Sequence, residues 1–273
     1  TLLNPGNILS GMSGSGLVSA SAQGAIELRS NYPVTLGTIS SIDPGPRPQG
    51  LVYIAAQAIA LNDSSAISAN GLGDAVILRI FDSGGVFSNT STAAWSPIVT
   101  PNGRWLVYSY TPRLDTVGNL DYAFRQYVAI YGSVITGNGN GLLYSDGPYL
   151  TPRLDGAVTK AYNGDSVASV TSANIGASGI FSGDVVTWLV SGATFDTKNV
   201  GNNKTVSASV SVGSVVDSNG KPVYGYSLGS SAASGAVGSI TPASISSVSG
   251  ITAGDKTYDG GTAATLSTTS PVF

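Results

Sequence analysis

The 273-residue sequence contains no cysteine and no histidine. Without cysteine no disulfide can cross-link the fold, and any secreted protein that lacks disulfides must be stabilised by repetitive hydrogen-bonded structure. Without either residue, the Ser-His-Asp and Cys-His catalytic arrangements and the common zinc sites are excluded by inventory. Many classes of enzyme are thereby removed.

Charged residues are also scarce. They form 10% of the chain, against about 25% in an average protein, and the formal net charge is −3. No basic stripe could neutralise a phosphate backbone, so we expect no nucleic-acid partner. The longest apolar run, residues 51–61, is interrupted by Gln57 and is far shorter than a membrane helix of roughly 20 residues, so we expect no membrane span.

Glycine, with 36 residues, and alternating apolar and small residues are abundant. The alternation has the period of 2 that is typical of strands, and we predict strands at residues 17–28, 34–42, 51–61 and 75–81. Turn-forming residues separate them at residues 43–48, 62–65, 70–71 and 82–85. Further along the chain, the same alternation predicts strands at residues 185–190 and 205–212. The composition therefore predicts an all-β fold.

A short self-similarity in the first part predicts stacked coils. Gly16-Leu17-Val18 with Ala22-Gln23 recurs further along the chain as Gly50-Leu51-Val52 with Ala56-Gln57. Short strands, tight turns and a repeated coil indicate a solenoid, in which each rung buries its inner face on its neighbours. The aromatic-rich stretch from Trp95 to Tyr149 is expected to cap the solenoid end, whose free backbone groups would otherwise template aggregation.

The two basic residue types divide the chain. All seven arginines lie between Arg29 and Arg153, and all five lysines lie between Lys160 and Lys256. The lysine-bearing part also contains an internal repeat, because Lys160-Ala161-Tyr162-Asn163-Gly164 is echoed by Lys256-Thr257-Tyr258-Asp259-Gly260. We predict a first domain at 1–154, one complete β-rich repeat at 155–243 and the start of a second, truncated repeat at 244–273. Since the chain begins at Thr1, we expect a fragment or processed product whose signal peptide was removed or lies upstream.

These echoes, followed by Phe195-Asp196-Thr197 and Lys204-Thr205-Val206, resemble the YDG repeat module of bacterial adhesins. Residues 226–228 and 238–243 fit the later half of that module. The first copy departs from the motif in carrying Asn163 in place of aspartate, which weakens any metal role for that position.

The first part resembles the C-terminal end of filamentous-haemagglutinin-like exoproteins of the two-partner secretion route, through residues 102–109, 124–127 and 139–145. The resemblance implies the end of a right-handed parallel β-helix with an aromatic-rich cap, followed by the YDG-type repeat. It also implies a long adhesin, extracellular or on the bacterial cell surface, with an outer-membrane two-partner-secretion transporter as partner.

Carboxylates are the remaining candidate catalytic groups, because parallel β-helices also host polysaccharide-cleaving enzymes. The candidates are Asp63, Asp74 and Asp82, and each adjoins Asn, Gly or Ser where aspartate commonly forms turns. Glu27, the single glutamate, is expected to be a solvent-facing strand residue. We predict no enzyme and no catalytic residue.

Calcium and sugars are the remaining ligand classes. The run from Gly137 to Gly141 has no carboxylate nearer than Asp146, and Asp255 and Asp259 are close neighbours in the truncated repeat, so turns explain both better than calcium sites. The tyrosines of the aromatic stretch could stack on sugar rings, but we expect core packing there and for Tyr162 and Tyr258. Lys160 and Lys256 could pair with carboxylates. We predict no metal and no cofactor.

The leading hypothesis is a structural stalk segment of a secreted adhesin or matrix fibre, acting in adhesion or biofilm. One alternative is a filament subunit that self-associates by β-strand pairing between subunits, because the chain stops within its second repeat at residues 270–273. The other is a polysaccharide-binding or polysaccharide-cleaving module. The host receptor or glycan is not specified by the sequence.

Overall fold

The computed structural model describes residues 17–45 and 49–268, and the backbone of residues 8–9. The predicted turn residues 46–48, Gly16 of the coil repeat and residues 270–273 lie outside this part of the chain. Within it the fold is all-β, with 23 strands and one 3-10 helix of three residues. The described residues contain no helix long and apolar enough to cross a membrane.

Thirteen strands precede residue 149. In chain order they are β1 (Ile8–Leu9), β2 (Leu17–Ala22), β3 (Ile26–Arg29), β4 (Val34–Ser41), β5 (Val52–Ala56), β6 (Ile59–Leu61), β7 (Ala66–Ala69), β8 (Gly73–Ile80), β9 (Phe87–Asn89), β10 (Ile98–Val99), β11 (Gly103–Ser109), β12 (Phe124–Gln126) and β13 (Gly141–Tyr144). The predicted segment 34–42 is one strand, whereas 17–28 and 51–61 are each two strands. Gly24, with a φ of +121°, marks the break in the first of these.

The first part is built from two sheets in which every strand pair is parallel. The long parallel sheet has the order β1-β3-β5-β8-β11-β13-β12, and the second parallel sheet has the order β10-β7-β4-β6-β9 with β2 on β4. The chain passes back and forth between them. Parallel strands need such crossovers, because a tight hairpin can join only antiparallel neighbours.

The core of this part lies between the two sheets. Inward-facing residues stack in register across the long parallel sheet, as in the row Leu28, Ile54, Leu78, Val107 and Leu142. Each is at most 2% exposed. Burial of apolar surface in such a ladder stabilises the fold by about 25 cal/mol per Å².

The prediction that the two similar segments are equivalent coils is wrong. Leu17 lies in β2 of the second parallel sheet, whereas Val52 lies in β5 of the long one, so the two segments do not stack. The actual stacked partners are closer in sequence, since Val52 pairs with Val76 and Ile67 pairs with Ile98. A few apolar and small residues can begin a strand in either sheet, so their recurrence does not report the coil length.

The second part is largely antiparallel. Its elements are β14 (Tyr149–Leu154), β15 (Val158–Ala161), the 3-10 helix (Ser172–Asn174), β16 (Ile175–Ser178), β17 (Asp184–Phe195), β18 (Gly201–Asp217), β19 (Val223–Tyr224), β20 (Ser227–Leu228), β21 (Ala232–Thr241), β22 (Thr252–Ala253) and β23 (Leu266–Ser267). The four-stranded sheet has the order β15-β21-β18-β17, and a smaller sheet has the order β16-β14-β20. The strands predicted near 185–190 and 205–212 are the centres of the long hairpin β17–β18.

The two parts share one structure. Strand β19 pairs in parallel with β12 and so becomes the eighth strand of the long parallel sheet. Phe181, Val215 and Val223 from the second part are buried in the core of the first. Strand β14, which the predicted division assigns to the first part, places Leu150 and Leu154 in the core of the second. The division at residue 154 stays a prediction.

Candidate functional site

A buried polar cluster holds the two parts together. Asp184 and Asp217 lie opposite each other in the β17–β18 register, with side chains 0% exposed. Two carboxylates facing each other repel, and burial strengthens the repulsion. Arg125 of β12 lies between them, with Nε 3.3 Å from Oδ2 of Asp217 and Nη1 3.9 Å from Oδ1 of Asp184.

Tyrosine hydroxyls complete the cluster. Tyr127 and Tyr226 each donate to Oδ2 of Asp184 at 2.7 Å, and Tyr122 donates to Oδ2 of Asp217 at 2.5 Å. Burial, and then the hydrogen bond to the carboxylate, raise the pKa of all three tyrosines. The hydroxyls therefore stay protonated and act as permanent donors.

Arg125 occupies a position that the ladder otherwise gives to apolar residues. It pairs with Leu142 on one side and Val223 on the other, in the row that begins at Leu28. An arginine at such a position needs buried counter-ions, and the second part supplies them. The cluster therefore ties the lysine-bearing part to the end of the parallel sheet.

A pocket of about 330 Å³ opens beside this cluster. It lies between the loop from β11 to β12, the end of β13 and the two ends of the β17–β18 hairpin. The lining includes Arg113, Asp115, Arg125, Tyr144 and Ser218. Burial raises the pKa of Asp115 to about 6, and Phe87 N and Ser109 Oγ both donate to its Oδ1 at 2.9 Å.

The repeated motif forms the same loop in both copies. Lys160 Nζ donates to the carbonyl oxygens of Asp165 and Val167 at 2.9 and 3.1 Å. Lys256 Nζ donates to those of Gly261 and Ala263, both at 3.0 Å, so the lysine closes the loop at positions +5 and +7 in each copy.

The other motif positions have conformational roles. Asn163 and Asp259 each accept a hydrogen bond from the backbone N–H two residues on, as turn-forming side chains do. Gly164 and Gly260 have φ values of +87° and +75°, which glycine adopts without strain. Replacement of aspartate by Asn163 thus preserves the turn. The carboxylate that pairs with the lysine moves from Asp259 in the second copy to Asp165 in the first.

Of the motif residues further along, Phe195 contacts this loop and Lys204 belongs to the turn between β17 and β18. Phe195 is buried, and Lys160 Nζ lies 5.8 Å from the centre of its ring. Lys204 Nζ donates to Thr197 Oγ1 at 2.5 Å and pairs with Asp196 at 3.1 Å, which fixes the turn between β17 and β18.

Each predicted candidate carboxylate has its own local partner, and Asp74 and Asp82 lie far apart. Asp63 accepts from Thr92 N at 2.7 Å and Asp82 from Gly84 N at 3.0 Å; these backbone hydrogen bonds lower the pKa of both. Asp74 pairs with Arg104 at 2.6 Å. It lies near the start of β8 and Asp82 lies beyond its end, so about 20 Å of strand separates them. Glycosidases hold their two carboxyl groups within about 10 Å.

Asp74 and Glu27 do share a shallow groove with two aromatic rings. The groove, of about 280 Å³, lies on the outer face of the long parallel sheet and is also lined by Tyr53 and Tyr131. Their ring centres are 5.4 Å apart. Glu27 faces outward there, as predicted, and pairs with Arg29 at 2.6 Å.

The glycine run at 137–141 packs against an aromatic ring. A Cβ added at Gly137 or Gly141 would overlap the ring of Phe124. Asn140 of the same run accepts from Trp105 N at 3.0 Å. Among the described residues, no group of three or more Asp, Glu, His or Cys could hold a metal ion, and this includes Asp146, Asp255 and Asp259.

The aromatic stretch divides into core and surface. Six of its ten aromatic residues are buried, as expected for packing: Trp105, Tyr108, Tyr122, Phe124, Tyr127 and Tyr144. The exposed ones are Trp95, Tyr110, Tyr131 and Tyr149. Tyr162 is 39% exposed and Tyr258 is 93% exposed, so the expectation of core packing is wrong for both.

In a comparison with known protein families, one domain family matches the second part of the chain. Residues 149–234 match the family model of the YDG domain. The matched range holds β14 and the four-stranded sheet up to the start of β21, and it includes Asp184 and Asp217. Neither the curated proteins nor the solved structures gave a match to the chain.

Sequence reasoning missed the buried cluster and the pocket. One signal was present, since Arg125 lies between two aromatic residues, Phe124 and Tyr127, in a strand-like segment. Its partners, Asp184 and Asp217, lie far along the chain in the lysine-bearing part. Only the pairing of β12 with β19 brings them together.

Proposed function

We propose that the chain is a structural stalk segment of a large secreted bacterial surface adhesin or extracellular matrix fibre, acting in adhesion or biofilm. The observation that supports this is the unbroken parallel sheet from β3 to β19, which links the two parts without a flexible linker. A load along the stack is then carried by successive backbone ladders and one continuous core. The YDG match over residues 149–234 agrees with the motif-based resemblance to the YDG repeat module, and the adhesin role is what we infer from that resemblance.

The first part is, in this proposal, the end of a right-handed parallel β-helix. Support comes from parallel pairing in both sheets and from the alternation of the chain between them, since parallel crossovers are right-handed in about 98% of cases. An extracellular location and an outer-membrane two-partner-secretion transporter complete the proposal.

The experiment combines surface labelling with competition. Antibody fragments raised against the purified chain should label intact producing cells, and the purified chain added in excess should leave adhesion of those cells unchanged. Label that appears only after lysis would exclude the surface location. Inhibition of adhesion by the chain would show that it carries an adhesive surface itself and is not only a spacer.

Self-association into a filament is a second candidate function. Residues 241–268 are all exposed, and β22 and β23 pair with each other, Thr252 with Ser267 and Ala253 with Leu266. Such a preformed hairpin could add to a sheet edge of another subunit. Electron microscopy of the purified chain would show fibres, and a variant ending at Thr241 would not form them. Monodisperse monomers of the full chain would exclude this candidate.

A further inference from the structure

Six Asn-Gly pairs occur in the sequence, and such pairs are the ones most prone to lose the asparagine side-chain amide spontaneously. They begin at Asn70, Asn102, Asn138, Asn140, Asn163 and Asn219. In this reaction the backbone nitrogen of the next residue attacks the side-chain carbonyl carbon. Glycine permits the approach because it has no Cβ and the widest range of φ and ψ. The glycine N–H must therefore be free of backbone hydrogen bonds and able to move.

Four of the six glycines are held by the backbone. Gly71 N and Gly220 N each donate to a backbone carbonyl oxygen at 2.8 Å. Gly103 and Gly141 lie in paired strands of the long parallel sheet. In these four pairs the attack must wait for local opening of the backbone, which folding opposes.

The pairs at Asn138 and Asn163 differ from these four. Both residues of each pair are exposed, and Gly139 and Gly164 lie outside any strand with φ values of +80° and +87°. Among the described residues, neither glycine N–H has a hydrogen-bond acceptor. A Cβ added at Gly164 would meet nothing within 4 Å, so this loop has room to move.

The amide of Asn163 is also oriented for the attack. Its Oδ1 accepts from Asp165 N at 3.3 Å, which folds the side chain over the peptide bond that contains the attacking nitrogen. The same N–H stabilises negative charge on Oδ1 as the attack begins. Asn138 has no such contact among the described residues, so Asn163 is the better placed of the two.

We propose that Asn163 is a modification site, which loses its amide spontaneously in the folded protein. Gly164 N forms a bond to Cγ, and Nδ2 leaves as ammonia with the proton of that nitrogen, so a five-membered succinimide remains. Water then opens the ring at either carbonyl carbon and gives aspartate or isoaspartate.

The product has one more negative charge than the parent chain, and this charge lies in the repeat-motif loop. Each loop now has one lysine–carboxylate pair, Lys160 with Asp165 and Lys256 with Asp259. After the reaction two carboxylates face Lys160. The hydrogen bond that Asn163 Nδ2 donates to Asp165 Oδ2 at 2.8 Å is replaced by repulsion, which loosens the first loop.

Peptide mapping by mass spectrometry tests the proposal on the full chain, kept folded at neutral pH and, in parallel, unfolded in guanidinium chloride. In the unfolded chain all six pairs should convert at similar rates, because each consists of the same two residues. In the folded chain Asn163 and Asn138 should keep rates close to these. The other four should slow by about fivefold or more, since a backbone hydrogen bond must first open. Labelling by isoaspartyl methyltransferase distinguishes isoaspartate from aspartate.

Two glycine variants locate the reaction. Gly164→Ala should abolish conversion at Asn163 within the same time course, because the added methyl group hinders the attack, and Asn138 should still convert. Gly220→Ala changes a glycine of a held pair and should leave conversion at both sites unchanged. The proposal fails if Asn163 stays intact in the folded chain while it converts in the unfolded chain. It also fails if the four held pairs convert as fast as Asn163, or if Gly164→Ala converts as fast as the parent chain.

Discussion

Asp115 shows how one side chain can set the pH response of the protein. Its pKa is raised to about 6 by burial, which outweighs the two hydrogen bonds that favour the charged form. The folded protein therefore binds this proton more tightly than the unfolded chain, whose carboxyl titrates near 3.8. Ionised Asp115 lowers stability at neutral pH, and the loss is recovered as the pH falls from about 6 to about 4.

We expect the free energy of unfolding to be about 1 kcal/mol higher at pH 5 than at pH 7. In Asp115→Asn, which keeps an acceptor oxygen for Phe87 N and Ser109 Oγ, this difference should disappear and stability at pH 7 should increase. Urea unfolding of both proteins at both pH values measures it. Carboxylates with a lowered pKa, such as Asp63 and Asp165, change protonation only below about pH 4, so they do not affect the comparison between pH 5 and pH 7. A parent chain that loses stability between pH 7 and pH 5 would contradict the assignment.

The repeat motif can be understood at the same scale. Its lysine, its Asn or Asp and its glycine are each explained by a loop that closes on backbone carbonyls. Its tyrosine is not explained by the loop, because Tyr258 is almost fully exposed while its loop is formed. In the complete first repeat the equivalent Tyr162 is less exposed, at 39%.

At the scale of single elements, strand β12 carries the arginine that faces two fully buried carboxylates. Arg125 compensates two buried carboxylates, and removal of a buried partner is costly because it leaves the other charges unpaired. Arg153 provides a matched comparison, since it pairs with Asp155 at 2.6 Å with both side chains about half exposed. Exposed pairs contribute at most about 1 kcal/mol.

Arg125→Met should lower the free energy of unfolding by about 3 kcal/mol or more, and Arg153→Met by less than about 1 kcal/mol. Chemical denaturation with both variants gives the comparison. The Asp217→Asn change made in the Arg125→Met background should restore part of the loss, because it removes one of the uncompensated charges. Equal effects of the two arginine changes would show that burial of Arg125 does not govern its contribution.

The strands themselves were largely predictable, and the cluster was not. Period-2 alternation located β4, β8 and the centres of β17 and β18, because one face of each is buried. The breaks at 23–25 and 57–58 depend on where the chain passes between sheets, which local alternation does not encode. Arg125, Asp184 and Asp217 meet through strand pairing over long sequence separation, so composition and spacing could not bring them together.

On the scale of the whole molecule, the two cores adjoin at strand β19, and Val186, Val212 and Tyr226 pack against both of them. The long parallel sheet ends in β19, and its core includes Val223 next to Arg125. Gly225 follows directly, with a φ of +87°, and a Cβ there would overlap the backbone of Tyr127. The backbone at Gly225 thus packs directly against that of Tyr127, at the junction through which the proposed stalk would transmit force.

This geometry predicts that both cores unfold together. In hydrogen exchange at increasing urea, the opening free energies of the slowest amides of β8 and of β18 should converge on one value, that of global unfolding. Gly225→Ala should separate them, because the added methyl group forces β19 away from β12. Gly220→Ala is the matched control: Gly220 also has a positive φ, of +73°, but an added Cβ would meet nothing within 4 Å. It should cost about 1–2 kcal/mol and keep the two cores merged. Separate unfolding free energies for the two cores in the parent chain would mean that they do not unfold cooperatively, although the sheet continues across the junction.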